Sequence, residues 1–366
     1  MKHSLSSRNP AMDVIRCLAL FGVTSVHFFL HTGYYMTLLT GTRMYLATLI
    51  RMASMTCVPL FLLLSGYLMK NKTPTRQYYS KLIRIVCLYF LASLCCYLYQ
   101  NRLSGSFLSF LLDTLNYTAA PYAWYMNMYF GLFLLIPYLN ILYNNLPGEN
   151  SRRGLILTLL ILTSFTEVFN GSLYFPETGW QLSGDPSLGQ ILMPDWWKEL
   201  YPLTYYFLGA YLKDHPLKLR RRNNVLLLLL AVLGNGTLNY FISYNQTFLG
   251  GTWQSWGSIL NVIQSVLLFN LLACMEFKGM SVRTAQLLAR MSELSLSAFL
   301  VSWIFDNLVY STLGRLQPVT AYQISWYPVT TVLVFSFSLL LSWILDTLYS
   351  LAASGVRSLS RRKSPT

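Results

Sequence analysis

Long apolar segments fix the solvent in which this chain folds. The first of them, residues 12 to 30 (MDVIRCLALFGVTSVHFFL), is interrupted only by Asp13, Arg16 and His27 among charged or histidine side chains. A run of about 20 mostly apolar residues spans the hydrocarbon core of a bilayer as a helix. Hydrophobic residues make up 54% of the chain and charged residues only 11%. These features predict an all-α fold, a polytopic membrane helix bundle.

The apolar segments predict ten spans, of which the fifth and sixth are short. They lie at about residues 12–31, 46–69, 82–100, 123–143, 154–169, 199–212, 224–243, 256–275, 286–311 and 326–349. Residues 1–350 form the predicted transmembrane domain, and residues 351–366 form a basic cytoplasmic tail. The first segment is too long and lacks the flank of a cleavable signal peptide, so we expect it to remain as a span.

The net charge of +14 is distributed very unevenly. With the N-terminus in the cytoplasm, nearly all basic loops fall on the cytoplasmic side, and the other side keeps Arg43, Arg102, Lys198 and Arg315. This is the positive-inside pattern of a multi-pass protein of the cell membrane, plasma or inner. It predicts that both termini are cytoplasmic, and it argues against nucleic acid as the partner.

Arg16 and His27 are the most informative residues of the first span. Their separation of eleven residues corresponds to about three turns, which places both side chains on one helical face roughly 16 Å apart. Ionisable groups at membrane depth are costly and usually functional. We therefore predict a polar path that follows this face. The alternatives are a core histidine satisfied by a neighbouring helix and an Arg16 that simply pairs with Asp13.

Several segments resemble the acyltransferase-3 family of membrane proteins. An Arg, ten intervening residues and a His are the mark of its first helix, here Arg16 and His27. VPLFLLLSGYLM, with Ser65-Gly66-Tyr67, is similar to the second-helix signature, and Lys81 and Arg84 match a basic pair of the third helix. AWYMNMYFGLFLLIPYL and LTYYFLGAYL resemble the fourth and sixth helices. The family often has histidines where this chain has Tyr122 and Ser302.

The resemblance implies an acyl-CoA-dependent O-acyltransferase without a fused extracytoplasmic domain. It would move an acyl group, usually acetyl, from cytoplasmic acetyl-CoA to a hydroxyl of a carbohydrate or lipid-linked glycan of the bacterial cell envelope. Acyl-CoA is then a donor substrate, and no tightly bound cofactor is expected. The remaining expected partner is membrane lipid. The oligomeric state, a homo-oligomer included, stays open.

The chemistry of this transfer suggests roles for individual residues. His27 is the candidate base, because imidazole exchanges a proton near neutral pH. Donor phosphates or pantetheine oxygens suit three basic residues, Arg16, Lys81 and Arg84, although the last two fit topology retention equally well. The candidate contacts for the acceptor are Trp124, Tyr125, Tyr122 and Glu167. One of four intramembrane acids is expected to orient His27, and depth favours Glu167 over Glu293, Asp306 and Asp346.

Two other classes of function compete with the enzyme. A secondary transporter of a sugar or lipid-linked substrate also needs polar groups at the midplane, but no inverted repeat or pair of interrupted helices is visible. A non-catalytic scaffold is disfavoured by the intramembrane Arg16 and His27. None of the six cysteines has a spacing that suits zinc, and no metal is expected.

Overall fold

The computed structural model describes residues 8–170, 172–175, 179–182, 191–250, 252–277 and 279–362, and within these ranges the chain is a helix bundle. The helices are α1 (Pro10–His31), α2 (Gly41–Ser54), α3 (Cys57–Met69), α4 (Arg76–Gln100), α5 (Phe107–Leu115), α6 (Trp124–Asn145), α7 (Gly148–Leu160), α8 (Thr166–Asn170), α9 (Tyr201–Asp214), α10 (Arg221–Ile242), α11 (Ile259–Ala273), α12 (Val282–Leu316), α13 (Thr320–Gln323) and α14 (Tyr327–Arg362). A π-helical turn, Ile161–Phe165, joins α7 to α8. The strands β1 (Ser172–Phe175) and β2 (Gly179–Leu182) form an antiparallel ribbon.

The all-α, polytopic architecture is confirmed. Eight helical segments of the described chain are long and apolar enough to cross a membrane, and they correspond to eight of the ten predicted spans. The other two predictions, 199–212 and 256–275, are the shorter helices α9 and α11, of 14 and 15 residues. Each rises only about 21 to 23 Å, less than the hydrocarbon core of about 30 Å. At the far end of the chain, α14 continues to Arg362 and includes much of the segment interpreted as a tail.

Helix α1 lies at the centre of the bundle, where it packs against α12, α3 and α14. It begins with an N-cap, because the side chain of Asn9 accepts a hydrogen bond from the Ala11 amide and Pro10 occupies the first turn. Helix α12 runs parallel to α1, since Arg16 contacts Ser292 and His27 contacts Asp306 farther along both helices. The shared face of Arg16 and His27 is therefore the face that packs on α12.

Two glycines let α3 and α9 cross at backbone contact. A Cβ atom at Gly66 would lie 1.9 Å from the Tyr206 carbonyl oxygen, and one at Gly209 would lie 2.0 Å from the Leu63 carbonyl oxygen. Neither approach is compatible with a side chain. Gly66 of the Ser-Gly-Tyr signature therefore serves helix packing, and the crossing holds the short α9 inside the bundle.

Pro59, in the first turn of α3, and Pro137, inside α6, each leave a carbonyl without a backbone donor, and other helices supply replacements. Pro59 has no N–H for the Met55 carbonyl, which accepts instead from Asn261 Nδ2 at 3.1 Å. In α6, Pro137 leaves the carbonyl of Phe133 free, and the Tyr78 hydroxyl donates to it at 2.6 Å. Because lipid offers no donors, these bonds stabilise helix breaks that would otherwise be costly.

One end of the bundle is rich in ion pairs, and we call it the basic end. It carries the starts of α1, α4 and α12 and the ends of α3 and α9. Lys70 is paired with Asp214, and Arg84 and Arg290 both contact Asp346, at 2.9 and 2.8 Å. These pairs join the helix ends on the side that the charge pattern assigns to the cytoplasm.

Candidate active site

His27 lies in a closed group of side chains on the half of α1 away from the basic end. Only 8% of the residue is exposed. Its Nδ1 atom is 2.9 Å from Oδ2 of Asp306, and its ring stacks on Tyr122 with the centroids 3.8 Å apart. The contact with Asp306 is close but lacks the alignment of an N–H hydrogen bond. The carboxylate still favours the tautomer that carries its proton on Nδ1.

Asp306 also receives the hydroxyl of Tyr122, which donates to Oδ2 at 2.7 Å. Nε2 of His31 lies 2.8 Å from the same hydroxyl. The hydroxyl has one hydrogen and gives it to Asp306, so Nε2 of His31 must be the donor in the second bond. The three side chains thus form a chain of hydrogen bonds that fixes the carboxylate beside His27.

The second nitrogen of His27 is left available. Nδ1 is completely enclosed, whereas Nε2 is not among the enclosed polar atoms of the described residues, and no hydrogen bond engages it. An imidazole that is held through one nitrogen and open at the other can accept a proton from a bound hydroxyl. The geometry suits a general base.

Arg16 has a different environment at the other half of α1. Its Nη1 donates to Ser292 Oγ at 2.9 Å, and within the described part of the chain no carboxylate lies within ion-pair distance of it. The pairing with Asp13 that the sequence left open does not occur, because Asp13 accepts two bonds from Arg8, at 2.7 and 2.8 Å. That hydrogen bonding raises the pKa of Arg8 above its ordinary value. Arg16 therefore keeps an uncompensated charge.

A cavity of about 350 Å³ joins the basic end to the surroundings of His27. It follows α3 from Met69 to Val58, about 16 Å of helix rise. Its polar lining is concentrated towards the basic end, and apolar side chains cover most of the rest: Arg16, Ser65, Arg84, Ser292 and Glu293 against Val23, Phe61, Leu64, Leu296 and Phe299.

Phe299 forms the boundary between this cavity and His27. It lines the cavity, and its ring centroid lies 6.4 Å from that of His27 and 6.0 Å from that of Tyr122. Tyr125 lines the same end and packs edge-on against Phe299 at 5.4 Å. A ligand that enters at the basic end is therefore separated from the histidine by one aromatic ring.

The two residues of the predicted basic pair in α4, Lys81 and Arg84, have different environments. Arg84 lines the cavity but already contacts Asp346, whereas Lys81 is exposed and does not line it. Among the described residues Lys81 has no ion-pair partner. Only Arg84 is positioned at the cavity wall itself.

The structure places the predicted acceptor contacts in different surroundings. Tyr122 stacks on His27, Tyr125 lines the cavity, and Trp124 is 40% exposed and stacks on Trp256 at 6.2 Å. The Glu167 side chain lies outside the described residues. The prediction that Glu167 orients His27 therefore stays a prediction, and the acid that the structure places beside Nδ1 of His27 is Asp306.

Sequence reasoning missed the roles of two other residues. His31 reads as a histidine at a helix end, although its position four residues after His27 places both on one face. Ser292 gave no signal as a partner of Arg16. Ser302, where the family often has a histidine, is buried and donates to the Phe299 carbonyl of its own helix.

A family model described as an acyltransferase domain, Acyl_transf_3, matches residues 9–347. The chain belongs to the acyltransferase-3 family. Membrane acyl transfer is therefore its general activity, and the first-helix Arg16 and His27 lie within the matched region. No curated protein and no solved structure matches the chain.

Proposed function

We propose that this acyltransferase-3 protein takes an acyl group, acetyl by default, from acyl-CoA at the basic end and transfers it to a hydroxyl of a carbohydrate or lipid-linked glycan at the opposite face. The basic end would face the cytoplasm, and the protein would reside in the plasma or inner membrane. The single observation that supports this most strongly is the cavity that leads from Arg84 and Arg16 to the ring of Phe299 beside His27.

The shape of the cavity suits the donor. A CoA thioester has a charged nucleotide that stays in water and a long, mostly uncharged arm that ends in the acyl group. Arg16 offers a half-buried guanidinium to a phosphate or carbonyl oxygen of the donor. The apolar wall beyond it suits the arm, and Phe299 must turn aside to let the thioester meet His27.

The reaction follows from the free Nε2 atom of His27. This nitrogen takes the proton of the acceptor hydroxyl as the oxygen attacks the thioester carbonyl carbon. The carbon–sulfur bond then breaks, and the CoA thiolate takes that proton from the imidazolium, which returns His27 to its starting state. Asp306 stabilises the intermediate positive charge on the ring through Nδ1. Atoms and charges balance without a further reactant.

His27→Gln tests this assignment directly. We expect the rate of acetyl transfer to fall by about 10²- to 10⁴-fold, the usual contribution of a positioned acid–base group, while acetyl-CoA still binds. The matched control is His215→Gln, at the surface after α9, which should transfer at the parental rate. If His27→Gln retains normal transfer, the histidine is not the base.

Sealed vesicles of known orientation test the path across the membrane. Acetyl-CoA should support transfer only from the face that carries the basic end, and acetylated product should appear only on the other face. Transfer with donor and acceptor both confined to the basic end would contradict the transmembrane path. Strict counterflow of an unmodified sugar, without acetylation, would instead favour a transporter.

A further inference from the structure

A second cavity, of about 360 Å³, continues the line of the first. Val23 and Val58 line the first cavity, while Val26 and Met55 line the second. Each pair is three residues apart on its segment, about one helical turn. The two cavities are therefore consecutive, and the second lies farther from the basic end.

Arg51 is the distinctive side chain of this second cavity. It lies on α2, only 3% of it is exposed, and its guanidinium stands 4.3 Å over the ring of Phe248. Its hydrogen bonds go to neutral groups: the Tyr35 hydroxyl at 2.8 Å, the Met52 sulfur at 3.0 Å and the Gln254 side-chain oxygen. Among the described residues no carboxylate lies within ion-pair distance of Arg51.

The remaining charges of the cavity do not compensate Arg51. Lys198 and Glu199 both line it, and their charges cancel, so the cavity carries a net positive charge from Arg51. Buried charged groups are normally paired with an opposite charge or a ligand. Neutral hydrogen bonds hold the guanidinium in place but leave its charge for a partner that the chain does not provide.

We propose that the second cavity binds the acceptor and that Arg51 recognises an anionic group on it, a phosphate or a carboxylate. A guanidinium binds either group through two parallel hydrogen bonds. Tyr201 and Trp256 line the same cavity and offer aromatic faces to a sugar ring. That the ligand of this cavity is the acceptor rests on the proposed function. That the cavity binds an anion rests only on the geometry around Arg51.

The cavity also lies close to the reacting groups. Val26 directly precedes His27 along α1, and Trp256 stacks on Trp124. A sugar held by Arg51 would therefore lie beyond the donor cavity, at the level of His27 along α1. The two substrates would meet near the histidine without sharing a binding site.

Calorimetric titration of the protein in an amine-oxide detergent tests the proposal with four probes: inorganic phosphate, glucose 1-phosphate, glucuronate and neutral methyl glucoside. We expect at least one of the three anions to bind tenfold or more tightly than methyl glucoside. Preference for the phosphates or for glucuronate identifies the anionic group. Equal binding of all four, or binding of none, overturns the proposal.

Variants locate the site. Arg51→Gln should abolish the preference for anions. Lys198→Gln, which removes none of the hydrogen bonds of Arg51, should weaken anion binding about two- to fivefold. The control is Arg43→Gln, an exposed arginine of the same helix, which should bind as the parent does. If Arg51→Gln fails to fold, anion binding by Lys198→Gln still tests the proposal. Parental anion binding in Lys198→Gln would then overturn the proposal.

Acetyl-CoA binding, measured on the same preparations, separates this inference from the proposed function. Arg51→Gln and Lys198→Gln should bind acetyl-CoA as the parent does. A parent that binds anionic sugars but not acetyl-CoA would contradict the proposed donor and leave the anion site standing. A parent that binds acetyl-CoA but shows no preference among the four probes would contradict the anion site and leave the proposed donor standing.

Discussion

The two halves of α1 hold their ionisable groups in opposite ways. His27 has a carboxylate beside one nitrogen, a stacked tyrosine and a chain of hydrogen bonds around it. Arg16 faces the same helix, α12, but has a serine hydroxyl as its partner and a cavity beside it. The difference teaches that a reacting group is best held rigidly by the protein, whereas a binding group keeps its charge available for a ligand.

Asp306→Asn tests the rigid half and should have a larger effect than substitution of Arg16 or Arg84. The amide keeps the size of the carboxyl group but loses its charge, so His27 would lose its fixed orientation. We expect turnover to fall by about 10²-fold, typical of a small misplacement of a reacting group, with the acetyl-CoA KM unchanged. Asp113→Asn, on α5, is the control. An equal rise in KM would mean that the two halves of α1 are not independent.

Arg16→Gln tests the open half. Removal of a charged hydrogen-bonding group should raise the KM for acetyl-CoA by about 10- to 100-fold, and turnover should change much less. The comparison variant is Ser292→Ala, which keeps the charge and removes only its hydrogen bond, and it should raise KM a few-fold at most. If both variants behave alike, the arginine acts through its contact with α12 and not through the donor.

The smallest effect is expected at the rim of the cavity. Arg84→Ala should raise the acetyl-CoA KM about two- to fivefold, more at low than at high salt, because its charge is already shared with Asp346. Lys81→Ala should change it less than twofold, since Lys81 does not line the cavity. Equal, salt-dependent losses in both variants would restore the predicted basic pair as one phosphate site.

The helical face of α1 was predictable from sequence because it depends only on the period of a helix. The partner of His27 was not, because Asp306 lies on a helix far along the chain, and depth alone favoured Glu167. Tertiary packing decides which acid reaches the ring. The structure places Arg16 and His27 against α12, as their shared face requires, but their chemical roles stay predictions.

Arg51 is a signal that the sequence already contains. It lies in the predicted span 46–69, and an intramembrane arginine there is as unusual as Arg16. The short helices were harder to predict. Nothing in the local sequence of α9 reveals that Gly209 crosses α3 at backbone contact, because that contact needs Gly66 from a distant segment.

The replaced donors at the two prolines have a consequence for biosynthesis. The Met55 carbonyl depends on Asn261, which is 206 residues later in the chain. We therefore expect the turn between α2 and α3 to be made long before α11, and its Met55 carbonyl to stay near water or the translocation machinery until Asn261 arrives. Tyr78 precedes Phe133, so the break in α6 finds its donor as soon as that helix arrives. We thus expect the second apolar segment to reach its final position in the bundle only when the last third of the chain is being made.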